Sequence, residues 1–236
     1  MLSRIAQTFA ALKTPAFIPF FTAGAPALAT TAALVLEAAR RGADLIEIGV
    51  PFSDPIADGP VIQASYYRAL EKGFKVAQAF DLARQLRAGG LTQPLVGMVS
   101  ETLVYKRGAE AFFARAKECG YDGLILPDLP AGYEGDAVTQ ARQHGLDLIF
   151  LCAPTTTSER REAIARLSTG FVYYISVTGI TGARASLPPD LEANVKDLKR
   201  RTQTPVCVGF GISQPAQAAA VAKFADGVIV GSALVR

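Results

Sequence analysis

The chain is short of the residues that many enzyme classes require. It has a single histidine, His144, which leaves no room for a histidine-based triad or a histidine-rich metal site. The sequence around it, ARQHGLD, reads as the end of a helix stopped at Gly145, with a surface histidine near the cap. Its three cysteines, Cys119, Cys152 and Cys207, are odd in number, widely spaced and set among apolar residues. They read as reduced core thiols of a cytoplasmic protein, with no metal-binding spacing. No apolar run reaches the roughly 18 residues of a membrane-spanning helix. The opening MLSRIAQTFAALKTP lacks the long apolar centre and small-residue cleavage site of a secretory leader, so an amphipathic N-terminal helix is expected. Charge is scarce too. The net value is +3, and only Lys196-Asp197-Leu198-Lys199-Arg200-Arg201 is locally basic. A solvated helix end accounts for it, and no nucleic-acid surface is expected. A Walker phosphate loop is also missing, which argues against a nucleoside triphosphate.

What the 236 residues do have is alternation. Short apolar runs stand at 17–21, 45–49, 94–99, 123–127, 146–151, 171–175, 205–209 and 227–231. Each is nearly continuous in apolar character, as a strand covered on both faces is. Between them lie segments such as ALATTAALVLEAARRGAD, GAEAFFARAKECGYD and QPAQAAAVAKFAD, with apolar residues at helical spacing. Eight strand–helix units without a break in composition predict an α/β fold. The expected architecture is one (β/α)8 TIM barrel spanning residues 1–236, with an extra N-terminal helix. An open doubly wound sheet is the alternative. After the eighth run only Gly231-Ser232-Ala233-Leu234-Val235-Arg236 follows. Such a barrel is completed by a last helix of roughly 15 to 20 residues; either the chain stops short of it or the helix is absent, and if it is missing the apolar flank it would cover is left open.

Barrels of this kind place their chemistry at the C-terminal ends of the strands. Glu47 interrupts the apolar run LIEIG. Alternation sets it on the face opposite Ile46 and Ile48, so it faces either the barrel mouth or the helix layer. An unpaired charge in the helix layer is costly, which favours the mouth. There a carboxyl is desolvated and can donate a proton near neutral pH. The plainer alternative is a structural carboxylate bonded to a neighbouring strand. The loop VPFSDPIADGP that follows carries Asp54 and Asp58 and is stiffened by Pro51, Pro55 and Pro60. An ordinary turn aspartate competes with a functional one at each position. Late in the chain, TGITGARA (178–185), GFGIS (209–213) and GSAL (231–234) follow the sixth, seventh and eighth runs. Backbone N–H groups at such turns can approach an anion closely, and this is the usual phosphate position of these barrels. The residues alone therefore predict acid–base chemistry without metal ligands on a small phosphorylated molecule.

The segments FIPFFTAGAP, LIEIGVPFSDPIADGPVIQAS, GYDGLILPDLP, ISVTGITGAR, GFGIS and GSA resemble the tryptophan synthase α-subunit family over nearly the whole chain. The block from Glu47 to Ser65 is the most specific part. The resemblance implies a lyase that cleaves indole-3-glycerol phosphate to indole and glyceraldehyde 3-phosphate by a retro-aldol step. Glu47 matches the family's general acid–base residue, which protonates C3 of the indole ring. Asp58 matches the second catalytic carboxylate, which accepts from the indole N–H and stabilises the developing cation. By the same resemblance Gly182, Gly211, Gly231 and Ser232 hold the phosphate. Phe20, Ile125, Leu151, Tyr173 and Phe210 match or lie near positions lining the indole pocket, with core packing as the plainer reading. Thr181 matches a loop threonine that meets the catalytic aspartate on closure.

The stretch MVSETLVYKRG departs from the family's pattern. Ser100, Glu101 and Thr102 stand where a tyrosine-rich segment is expected, and Pro127 where a smaller residue is common. The resemblance also implies a partner: a pyridoxal-phosphate-dependent β-subunit in an α-β-β-α assembly, facing the loop with Asp54 and the segment after the third run. No cofactor is expected in this chain, and pyridoxal phosphate would belong to the partner alone. Competing activities fare worse. A synthase on the same barrel needs a strand lysine, and none of the eight runs holds one. A metal-dependent epimerase needs more than one histidine. A non-catalytic activator of the β-subunit remains as the alternative of another class.

Overall fold

A computed structural model describes residues 2–56, 58–176 and 187–236. Among these residues nine strand segments form one sheet: β1 Ala16–Thr22, β2 Ile46–Gly49, β3 Leu95–Met98, β4 Gly123–Ile125, β5 Asp147–Ile149, β6 Leu151–Cys152, β7 Val172–Ile175, β8 Val206–Gly209 and β9 Gly227–Val230. The order is β5-β4-β3-β2-β1-β9-β8-β7-β6, with every pairing parallel. β5 and β6 are two pieces of the one run expected at 146–151. Between them the Phe150 N–H donates to Ser168 Oγ instead of a strand, while its carbonyl accepts from Tyr173 N–H. The run thus leaves β4 and joins β7 within one residue, and the sheet closes into a barrel of eight staves.

Period-two alternation separates two cores. Ile18, Phe20, Val96, Met98, Ile125, Ile149, Tyr173, Cys207 and Ile229 form an inner cluster. Ile46, Ile48, Leu95, Leu124, Leu148, Val172, Val206 and Val228 belong to an outer cluster, together with buried positions of the surrounding helices. The expected N-terminal helix is Arg4–Ala11, capped by Ser3 Oγ, which accepts from Ala6 N–H. Its Ile5 is wholly buried within the inner cluster, and its Phe9 ring stands 6.1 Å from that of Phe171. The helix therefore plugs one end of the barrel. The base end also holds Asp122, which takes a 2.6 Å ion pair from Arg87 and a 2.9 Å bond from Leu95 N–H.

The helical segments fall as their spacing predicts, at Leu28–Arg40, Ala109–Cys119 and Pro215–Val221. Gly120 ends the second of these at φ 104°, a conformation that disfavours side chains. His144 is the C-cap of Ala137–Gln143, followed by Gly145. The basic segment at 196–201 lies on helix Leu191–Arg201, where its cations pair with Glu192, Asp197, Asp226 and Glu162. All three cysteines are buried and free. After β9 comes the four-residue helix Ser232–Val235, and Phe17 on β1 is left partly exposed. Among the described residues, no helix is long and apolar enough to cross a membrane.

Candidate active site

Glu47 sits in the middle of β2, in register with Phe20 of β1 and Val96 of β3. Both neighbours belong to the inner cluster, so the glutamate points into the barrel. It is 1% exposed, and among the described residues neither carboxylate oxygen has a hydrogen-bond partner. The alternative of a structural carboxylate tied to a neighbouring strand finds no bond to support it. Burial, and next the charge of Asp58, raises its pKa to about 8. Room beside it comes from Gly49, where a Cβ would strike the Phe20 ring and the Tyr66 hydroxyl.

Asp58 ends the loop after β2. Its N–H donates to Pro55 O at 3.1 Å, and its carbonyl accepts from Gln63 Nε2 at 2.8 Å. Pro60 then starts helix Pro60–Glu71 at a position where its missing N–H costs nothing. The loop is thus closed onto its own helix and holds the carboxyl against the cavity. Burial first, and then the charge of Asp128, raises the Asp58 pKa to about 7. Tyr66 and Tyr173 have their hydroxyl pKa values pushed up by burial first and then by these two carboxylates.

One cavity of about 690 Å³, open to solvent at its mouth, joins Glu47 and Asp58 to Phe20, Tyr173, Phe210, Gly211, Gly231 and Ser232. The Tyr173 and Phe210 rings meet edge to face with centroids 5.8 Å apart. Phe210 holds φ 67°, a strained conformation for a side chain of its size, and its carbonyl accepts from Ser176 Oγ. That turn presents both the Phe210 ring and Gly211 to the cavity. Two expected lining residues fall elsewhere. Ile125 is wholly buried in the inner core, and Leu151 is half-buried beside it; neither lines this cavity. Each faces inward as alternation requires, and their register partners Met98 and Tyr173 line the cavity where they do not. Thr181 and Gly182 lie outside the described residues. So does the first of the three glycine-bearing turns, 178–185.

The cavity also takes in residues that sequence reasoning missed, among them Ile62, Met98, Ser213 and Arg236. Inward alternation flagged Met98, Ser213 ends the GFGIS turn singled out in the sequence, and nothing local flagged Ile62 or Arg236. A second, smaller cavity of about 320 Å³ adjoins Asp58 and is lined by Asp54, Tyr66, Ser100, Pro127 and Asp128. The departing stretch after β3 forms helix Glu101–Tyr105, with Ser100 as its N-cap. Among the described residues, no group of three or more His, Cys, Asp or Glu side chains could hold a metal ion.

A closed parallel barrel with a buried and a half-buried carboxyl on one side of its mouth and glycine turns beyond them belongs to the barrel enzymes built for acid–base chemistry on small molecules. Comparison narrows the class. The family model of the tryptophan synthase alpha chain matches residues 6–236, and the chain belongs to that family. The tryptophan synthase alpha chain of Rhodopirellula baltica is 50% identical over 94% of this chain and 80% of its own length. That of Geotalea daltonii is 46% identical over 100% of this chain and 90% of its own. Among solved structures, tryptophan synthase subunit alpha from Legionella pneumophila superposes with a TM-score of 0.90 at 37% identity, covering 100% of this chain and 88% of that one. The tryptophan synthase complex from Pyrococcus furiosus gives 0.88 at 38%, covering 95% and 90%.

Proposed function

We propose that Glu47 and Asp58 are the catalytic pair for the reaction of this family, the retro-aldol cleavage of indole-3-glycerol phosphate to indole and glyceraldehyde 3-phosphate. The chain is a carbon–carbon lyase of tryptophan biosynthesis. One observation carries the residue assignment: a single cavity runs from an unpartnered, buried Glu47 to the turns at Gly211, Gly231 and Ser232.

With its pKa raised to about 8, Glu47 carries a proton at neutral pH. It gives that proton to C3 of the indole ring, and the ring becomes a cation. Asp58, as the carboxylate, accepts from the ring N–H and stabilises that cation. The glycerol carbon then leaves C3 as an aldehyde, and its hydroxyl proton returns to Glu47. The electrons of the broken bond restore the aromatic ring, and the acid is regenerated. Phe20, Tyr173 and Phe210 enclose the ring and keep water from the cation. The amides near Gly211, Gly231 and Ser232, together with the Ser232 hydroxyl, take the phosphate, and the family resemblance adds Gly182 and Thr181, which lie outside the described residues.

The same reading assigns a partner. Ile56, Tyr105 and Tyr133 are each about three-quarters exposed, on the segments that follow β2, β3 and β4. Large apolar side chains clustered at one rim suit a docking face. That face, with the exposed Asp54 at its edge, would receive a tryptophan synthase β-subunit in an α-β-β-α assembly. Pyridoxal phosphate would reside in the β-subunit, in the cytoplasm. The test is indole release from indole-3-glycerol phosphate, with and without a β-subunit. Turnover that vanishes in E47Q while substrate still binds supports the assignment. Full activity in E47Q removes Glu47 from the mechanism, and no turnover by the unaltered chain in either condition favours a non-catalytic activator.

A further inference from the structure

Asp128 lies just beyond β4 and is held from two sides. Its Oδ2 accepts from Ser100 Oγ at 2.6 Å, and its Oδ1 accepts from Glu101 N–H at 2.7 Å. Accepting at both oxygens is what an ionised carboxylate does. The two donors begin the short helix after β3, so the clasp joins the β3 and β4 loops. From the facing β2 loop, Asp58 and Asp54 line the same 320 Å³ cavity, and Asp58 alone of these also lines the larger one.

We propose that Asp128 is a positioning residue for Asp58: clasped by Ser100 and the Glu101 amide, its fixed negative charge sets the pH at which Asp58 gives up its proton to meet the substrate ring. The inference rests on Asp58 acting as proposed above. Other groups face Asp58 as well. They are Glu47 from β2, Tyr66 from helix Pro60–Glu71, Tyr173 from β7, Asp54 from its own loop and Arg236 beyond β9. Asp128 differs from them because it is anchored on a neighbouring loop by two short bonds, so its charge cannot swing away when the site fills. The direction agrees with the raised pKa of Asp58, to which burial contributes first and Asp128 second. Ionisation is thereby held back until the pH reaches neutrality, and catalysis that needs the Asp58 carboxylate acquires its acid limb there.

Carboxyl carbon NMR of the free protein, with the Asp58 signal assigned through D58N, tests this directly. D128N keeps an oxygen to accept from Glu101 N–H but removes the charge, and the Asp58 midpoint should move to lower pH. D128S provides the same readout should the amide disturb the turn. S100A keeps the charge and loses one clasping bond, so its midpoint should stay near that of the unaltered protein. The acid limb of kcat/KM for indole release should move in the same direction as the midpoint in D128N. An unmoved Asp58 midpoint in both neutral variants overturns the proposal, as does a shift in S100A equal to theirs. The titration needs no substrate, so failure of the lyase reading would appear in the activity assay and leave this result separately legible.

Discussion

Two carboxylates, one at each end of the barrel, are buried almost equally and held in opposite ways. At the base, Asp122 is 5% exposed and fully engaged. Arg87 pairs with it at 2.6 Å, Leu95 N–H donates to it at 2.9 Å, and Arg4 stands 3.6 Å away. Arg87 is itself saturated, donating also to the carbonyls of Leu91, Gln93 and Gly120. At the mouth, Glu47 is 1% exposed and has no hydrogen-bond partner among the described residues. A buried charge that is paired stabilises the connection of elements, whereas one left alone is driven to hold its proton. Burial therefore does not distinguish Asp122 from Glu47; partnership does.

The largest effects should come from breaking the mouth. E47Q is expected to lower kcat for indole release by about 100- to 10,000-fold, the usual worth of a positioned acid, with substrate affinity nearly unchanged in calorimetry. D58N should cost about 100- to 1,000-fold in kcat, since the ring cation loses its counter-charge.

Breaking the base should reverse the pattern. D122A leaves Arg87 buried without its carboxylate, and a loss of about 3–5 kcal/mol in denaturant unfolding is expected. Residual folded enzyme should retain most of its kcat. The mouth should respond in the other direction. The Glu47 pKa rises from 4.5 to about 8 on folding, so the native state keeps a proton that the unfolded chain releases. Stability is then lost as pH climbs from 4.5 towards 8, by at most about 5 kcal/mol, and is not regained above. Unfolding free energies of E47Q and the unaltered protein should accordingly converge at pH 4 and separate by pH 8, with E47Q the more stable. The smallest effect belongs to the far end of the cavity. S232A should raise KM for the phosphorylated substrate about 2- to 10-fold, the worth of one hydrogen bond, without changing inhibition by indole.

Much of this contrast was legible in the sequence. A glutamate inside LIEIG breaks an apolar alternation, and that break is visible without coordinates. The glycine turns at 209–213 and 231–234 announce themselves by composition and by following strands. What sequence could not supply was which inward residues border the cavity, and which loops meet across it. Alternation places Met98 and Ile125 on one inward face, and they are register partners, yet only Met98 reaches the cavity. The Asp128 clasp joins residues 27 and 28 positions apart, with no periodicity to link them. The break at Phe150 was hidden because an apolar residue that leaves one strand for another looks like any other in the run.

The central claim is that Glu47 is an isolated, protonated acid at neutral pH, and its own titration tests that most directly. Carboxyl carbon NMR of the free protein, with the signal assigned through E47Q, should give a midpoint at about 8. A midpoint near 4.5, the ordinary value, would mean that the carboxylate is already ionised when substrate arrives, and the account would fail.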